Sequence, residues 1–434
     1  MSTTLRRTAR IVASASVIVV LAAACGSSKS STPPATGGAT TGAATTPAAG
    51  ASSDAGTSAA PTGSPITIGT TASLSNPTYS SPQNKAAIEA AISSINAAGG
   101  VAGHPLKLDF CDGNYDTNKE LACVRKLISD KVSAIVAPSI LADQSGREFK
   151  LTEQAGVPVI GSQGLSPFEL NSPSVYPLSS GIPGWVYGAV ANLLANGAKK
   201  VTILIDTNPA SAFFGSLVAS ALKSAGVTPI ATVTADEKAD PTLASAASKA
   251  MSGGTDGIVL APSPANVPKL IVGLKQAGYT GKVSSITALF PDVILKAIGA
   301  AGDGILLTSQ LAFATDTSNP GVQALTADMA KYQPSATIDE ATLLCWGATE
   351  LFAKVMANAT SFDAAGVTAA FKNLSTPVDV GVAAPFSVVG KTSPVPGFTR
   401  IFNATVQNGT VNGGKVVADG KGFVDPFTEL TSIK

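Results

Sequence analysis

Two short turns carry the side chains best suited to hold a small molecule. Ser139-Ile140-Leu141 follows an apolar run over 132–138 and precedes a helix expected over 143–155. Ser162-Gln163-Gly164 follows a second apolar run over 156–162, and Ser166-Pro167 then opens a short helix. Free N–H groups at a helix start, joined by serine hydroxyls, make a receptor for a carboxylate. Either serine would also serve as an ordinary N-cap, but two such turns in consecutive strand–helix units favour binding. The loop after the first strand, from Thr71 to Tyr79, is a further candidate contact. Later in the chain, Asn208, Phe213 and Phe214 follow KKVTILID, Ser263 follows DGIVLAP, and Leu289-Phe290 follow SSITA. The aromatic pair 213–214 offers a wall for a ligand, with at least one ring expected to face the core of a helix over 210–225.

Covalent chemistry has little to work with. The single histidine, His104, sits between Gly103 and Pro105 and reads as a turn residue, which argues against zinc or triad chemistry. Acidic residues are scattered, with no metal-ligand spacing and no paired catalytic carboxylates. Gly161-Ser162-Gln163-Gly164 lacks the G-x-S-x-G spacing of a nucleophile elbow. The reading is a binding protein rather than an enzyme, with no cofactor and no metal. Cysteines stand at 25, 111, 123 and 345. Cys111 and Cys123 are separated by a loop and the first turns of a helix, and in an exported chain they are expected to form a disulfide worth about 3 kcal/mol. Cys345, among Leu343, Leu344 and Trp346, is expected to be a buried free thiol.

The elements that must position these groups begin at Ile66. ITIGTTASLS reads as a strand, and Ile88, Ala91, Ile92 and Ile95 recur at i, i+3, i+4 and i+7, one apolar stripe on a helix. Gly99-Gly100 stops that helix, after which Leu106, Leu108 and Phe110 alternate with Lys107 and Asp109, a strand of period two. The theme repeats: apolar runs over 199–206, 226–233, 256–263, 281–289 and 304–313 alternate with helices near 184–196, 210–225, 242–252, 265–277 and 291–301. Continuous apolar runs suit parallel strands covered on both faces, and their alternation with helices means α/β. A compositional echo between 66–180 and 199–310 points to two similar Rossmann-like lobes. Helices are expected over 320–332, 338–358 and 367–374, followed by a Gly/Pro-punctuated tail in which Phe398–Phe402 and Asn408-Gly409 read as a hairpin.

The chain of 434 residues has a formal charge of +1, and loss of Arg6, Arg7 and Arg10 with a leader would take it to −2. No basic block or basic–aromatic interleaving points to nucleic acid. Residues 1–24 place three arginines before IVASASVIVVLAAA, an apolar run shorter than a comfortable membrane span, and read as a secretory signal. The junction Leu21-Ala22-Ala23-Ala24-Cys25-Gly26 resembles a bacterial lipobox with Cys25 as the lipidated residue, although Ala22 stands where Leu is usual. Plain A-x-A cleavage would leave Cys25 first but unmodified. Residues 25–65 form a Ser/Thr/Ala/Gly/Pro tether with almost nothing to bury, which reads as disordered and open to glycosylation. Its root-mean-square reach would be roughly 35 Å.

The order of elements over about 66–410 resembles the type I periplasmic solute-binding proteins, and more closely the branched-chain amino-acid-binding subfamily that serves ABC importers. AAIEAAISSINAAGGVAGHPLKLDFCDGNYD carries the resemblance, with Asn96, Gly99, Gly100, Gly103, Leu106 and Asp116 at the family's positions. VSAIVAPSI and GVPVIGSQGLSPFEL match the family's ligand-contacting turns. The resemblance implies two lobes joined by three crossings near 181–183, 308–311 and 375–378: lobe 1 from 66–181 plus 309–375, lobe 2 from 182–308 plus 376–434. It implies a monomeric protein on the outer face of the cytoplasmic membrane, touching the membrane only through its lipid, that closes on a small ligand and hands it to ABC permease subunits. Positions near Ile182-Pro183 and Ala288-Leu289-Phe290, where amino-acid binders carry an acid for the ligand's ammonium group, carry none here. A carboxylate or amide with an apolar or aromatic body therefore fits as well as a branched-chain amino acid. A receptor domain of the same fold is the alternative reading, and an exported hydrolase a remote one.

Overall fold

A computed structural model describes residues 60–142 and 145–433. The expected signal segment, the expected lipidation site Cys25 and nearly all of the tether lie outside the described residues, as does the expected helix start at 143.

The first lobe is built on a five-stranded parallel sheet. Its strands are β1 (Ile66–Ala72), β2 (Leu106–Asp112), β3 (Ile135–Val136), β4 (Val159–Ile160) and β5 (Val175–Tyr176), in spatial order β2-β1-β3-β4-β5. Helices α1 (Pro82–Ala97), α2 (Thr117–Ser129) and α3 (Arg147–Ala155) supply the crossovers. The stripe on α1 is buried as its spacing requires, Ile88, Ala91, Ile92 and Ile95 all lying in the lobe's core. The run 132–138 is buried throughout and the run 156–162 from Val157 onward, yet only two residues of each count as strand, and the ladder continues loosely through Ala137 N–H to Ile160 O (2.8 Å) and Gly161 N–H to Tyr176 O (2.8 Å). Helix α3 begins at Arg147 rather than at 143 because Gly146 holds a left-handed φ of 75°, where its absent Cβ would meet Phe168. The expected disulfide is present: Cys111 on β2 joins Cys123 on α2 across a Cα separation of 5.5 Å. Cys345 is buried and free.

The second lobe opens with α4 (Gly181–Ala195), followed by β6 (Val201–Asp206), α5 (Pro209–Ser224), β7 (Ala231–Ala235), α6 (Ala244–Ala250), β8 (Gly257–Ala261), α7 (Val267–Gln276), β9 (Lys282–Ile286), α8 (Asp292–Ile298) and β10 (Leu306–Ser309). The chain then returns to the first lobe as α9 (Pro320–Tyr332), α10 (Glu340–Met356) and α11 (Ala364–Lys372), and ends as β11 (Gln407–Asn412), β12 (Lys415–Ala418) and α12 (Pro426–Ser432). The second sheet runs β12-β11-β10-β9-β8-β6-β7, parallel from β7 to β10 and antiparallel at β11 and β12. Both faces are covered. Ile203 and Ile205 of β6 face a core with α4 and α5, while Leu204 faces the other with α6 and α7. That two-sided burial is why these strands read as unbroken apolar runs.

Two expectations for the tail change. Asn408-Gly409 lie inside β11, with Gly409 paired to both Leu307 and Ala418, and the hairpin turns instead at Asn412–Lys415. Gly413 and Gly414 supply the left-handed φ values of 58° and 74° that a tight turn needs. The third crossing falls later than 375–378. Val380, Val382, Phe386 and Phe402 pack in the first lobe's core with Phe352 and Phe371, and the chain reaches the second sheet only around Val406 and Gln407. These aromatic and branched side chains fill the space above α10 and α11, so burial holds residues 378–402 on lobe 1.

Candidate ligand-binding cleft

In an open α/β sheet a ligand gathers at the carboxyl ends of the strands. At the end of β1 the chain loops through Tyr79, whose ring packs tilted against Tyr115 with ring centroids 5.4 Å apart, and Ser73 donates its hydroxyl to Tyr79 O (2.7 Å). Burial pushes the Tyr79 phenol up, opposed by the hydroxyls of Ser81 and Ser139, so the structure brings Tyr79 and Ser139 together. Ser139 is anchored by its own N–H on Thr71 O (2.8 Å).

The two turns expected to receive a carboxylate are already supplied with one. Glu120 of α2 accepts from Leu141 N (3.3 Å) and Ala142 N (3.0 Å). Glu169 accepts from Gly164 N (2.6 Å) and Leu165 N (2.8 Å). Burial raises the Glu169 pKa, and the N–H groups of Gly164 and Leu165, with the Ser162 hydroxyl nearby, work against that rise. Ser162 Oγ itself is fully buried and makes no hydrogen bond of ordinary geometry. What these turns leave for a ligand is therefore hydroxyl and side-chain chemistry at Ser139, Ser162 and Gln163, beside the half-exposed Leu141, rather than their capped N–H groups. Ile140 is buried against the lobe's own core. Gly164 is close to irreplaceable: its φ is 69°, and a Cβ would stand 2.7 Å from Gly181 Cα at the first crossing.

The second lobe repeats the device. Asp206, at the end of β6, accepts from Ser263 N (2.6 Å), Asn208 N (3.0 Å) and Asn266 Nδ2 (3.1 Å). Burial works to raise its pKa, but Ser211, Ser263 and Asn208 outweigh it and hold the carboxylate below its ordinary range. Asp206 is thus committed internally and free for no ammonium group. Asn208 caps α5 through Ala210 N (2.9 Å). Of the aromatic pair, Phe214 is the core residue and Phe213 is half-buried. Phe290 departs from expectation: it is 3% exposed and packs with Leu295 and Ile298 in the core, leaving Leu289 as the half-exposed apolar residue of that turn.

Polar contacts tie the lobes at the crossings. Ser179 Oγ donates to Gln310 Oε1 (2.6 Å), Ile182 N to Gly164 O (2.9 Å), and Asn403 Nδ2 to Leu178 O (3.1 Å). Glu340, the first residue of α10, accepts from Ser309 Oγ (2.9 Å) at the end of β10 and from Thr287 Oγ1 beyond β9. Sequence reasoning passed over Glu340 because 53 residues separate it from Thr287. The nearest signal was the capping box begun by Asp339 and closed by Thr342, which marks where the helix starts but not what its first turn faces. Among the described residues no group of His, Cys, Asp and Glu is arranged to hold a metal, and no helix is long and apolar enough to cross a membrane.

Residues 65–405 match the sequence model of the periplasmic binding protein family. A search of curated protein sequences found no match. Among solved structures, an extracellular ligand-binding receptor from Verminephrobacter eiseniae aligns with a TM-score of 0.68 at 19% identity, over 81% of this chain and 99% of its own. A leucine binding protein from Thermotoga maritima aligns with a TM-score of 0.64 at 17% identity, over 83% and 99%. A fatty acid ABC transporter substrate-binding protein from Thermomonospora curvata aligns with a TM-score of 0.67 at 15% identity, over 87% and 97%. With two parallel-stranded lobes and a family match that runs from β1 to the third crossing, the chain belongs to the periplasmic binding proteins and has their type I fold.

Proposed function

We propose that this protein captures a small solute between its lobes and delivers it to the permease of an ABC importer, held at the outer face of the cytoplasmic membrane by a lipid on Cys25. The carrying observation is that the start of α10 in the first lobe meets the ends of β9 and β10 in the second through Glu340, Thr287 and Ser309, in a chain of this family. Tyr79, Ser139, Leu141, Ser162, Gln163 and Gly164 supply the first wall, and Asn208, Phe213 and Ser263 the second. The favoured solute has an apolar or aromatic body and one carboxylate or amide, met by the hydroxyls of Ser139 and Ser162. That the structural relatives include a leucine binder and a fatty acid binder supports an apolar body.

A thermal-shift panel of leucine, phenylalanine, medium-chain fatty acids and aromatic amides tests the reading. A ligand present at a hundred times its dissociation constant adds about 2.7 kcal/mol to stability. The true solute should give such a shift and should reduce the radius of gyration in small-angle scattering as the lobes close. Leucine acting alone at micromolar concentration would return the assignment to an amino-acid binder. No stabilisation by any member, with unchanged scattering, would overturn it.

A further inference from the structure

Glu340 opens a helix of the first lobe, yet its carboxylate is satisfied by the second. It accepts from Ser309 Oγ (2.9 Å), from Thr287 Oγ1 and from the backbone N–H of Gln310. Among the described residues no cation answers it. Its charged neighbour is Asp339 on the same helix, which Gln83 of α1 holds at 2.9 Å. Lys85 of α1 is paired with Glu89, and Tyr79 faces Asp339 from the loop after β1. Neither Thr287–Leu289 nor β10 carries a charged residue, and the one on β9, Lys282, stands at the strand's far end.

Counting protons shows which form of Glu340 the geometry suits. Thr287 has one hydroxyl proton and two acceptors within reach, the Glu340 carboxylate and Thr308 O at 3.3 Å. If Glu340 is ionised, Thr287 must serve it, and Thr308 O loses that donor. If Glu340 is protonated, its own O–H donates to Thr287 Oγ1, Thr287 donates to Thr308 O, and the other Glu340 oxygen still accepts from Ser309. Every group then has a partner, and no bare charge lies enclosed between the lobes.

We propose that Glu340 is a proton-operated latch between the lobes, closed when neutral and released when ionised. The proposal rests on the two-lobed capture mechanism and adds to it a control by external pH. Burial raises the Glu340 carboxyl to about 7 in this arrangement. Because the closed-state pKa is the raised one, the stabilisation is full below the ordinary carboxylate value and is lost as pH climbs through about 7. Acid therefore holds the lobes together, and they are released as pH rises from the ordinary carboxylate value to about 7.

The test needs no solute. Spin labels on the exposed positions Glu153→Cys of the first lobe and Lys223→Cys of the second, in the full chain, report the interlobe distance by electron–electron double resonance. Between pH 5 and 7 the ratio of the short-distance to the long-distance population should fall by about tenfold or more, with little further change up to pH 8.5. In Glu340→Gln, whose amide donates to Thr287 and accepts from Ser309 at any pH, the short distance should persist throughout. Wild-type distances unchanged from pH 5 to 8.5, or a Gln variant that keeps the full pH response, would overturn the latch. Failure of every solute to bind would leave this outcome untouched, so the two readings fail separately.

Discussion

Removing the carboxylate that fills the second turn tests whether these strand ends are built to hold themselves. Glu169→Ala leaves the N–H groups of Gly164 and Leu165, now bonded at 2.6 and 2.8 Å, without an acceptor in a buried site. Each orphaned donor costs about 1–3 kcal/mol, and relief from burying the carboxylate offsets part of that, so the net loss should be about 3 kcal/mol. For a folded region of this size that lowers the melting temperature by about 4 °C. Glu169→Gln keeps one oxygen for one N–H and should lose about half as much. Glu169 has a raised pKa, so its titration adds stability below the ordinary carboxylate range and withdraws it as pH rises through the raised value. The Ala variant should lack that slope. Chemical denaturation across pH measures both effects, and added formate should restore stability to Glu169→Ala while leaving the wild type unmoved. An Ala variant within about 0.5 kcal/mol of wild type and indifferent to formate would refute the account of this turn.

Three further outcomes follow from the same geometry. Replacing Cys111 and Cys123 together by Ser opens a loop with a sequence separation of 12 and should cost about 3 kcal/mol, and dithiothreitol should destabilise the wild type alone. Ser162→Ala removes a buried hydroxyl that makes no hydrogen bond of ordinary geometry, so stability should hold within about 0.5 kcal/mol while solute affinity falls by about 1 kcal/mol; titration calorimetry beside melting curves separates the two. Asp206→Asn should lose about 2 kcal/mol at pH 7. Because the Asp206 pKa is depressed, the difference from wild type should fade as pH drops below the ordinary Asp value, as a stability–pH profile would show.

Much of the architecture was legible in local pattern. The stripe of Ile88, Ile92 and Ile95 faces the core, the run over 201–206 is a strand covered on both sides, and Cys111 meets Cys123. These follow from side-chain periodicity and short chain separation, which sequence displays directly. The candidate site was less legible. Ser139 and Ser162 do stand at strand ends, but Phe290 turned into the core, and the N–H groups meant for a ligand were taken by Glu120 and Glu169. Glu169 lies only five residues from Gly164, yet no spacing rule states that its side chain folds back rather than out.

The amino-acid sequence by itself determined that this is an α/β protein of two lobes, because apolar runs alternate with amphipathic helices and each strand needs cover on both faces. Tertiary structure alone decided which carboxylates are spent inside the fold and which one spans it. Glu120, Glu169 and Asp206 satisfy buried donors next to them, whereas Glu340 meets Thr287 and Ser309 only because a returning helix places it against the strand ends of the other lobe. A buried polar group must find a partner, and where that partner lies in another lobe, the packing of the elements decides the match.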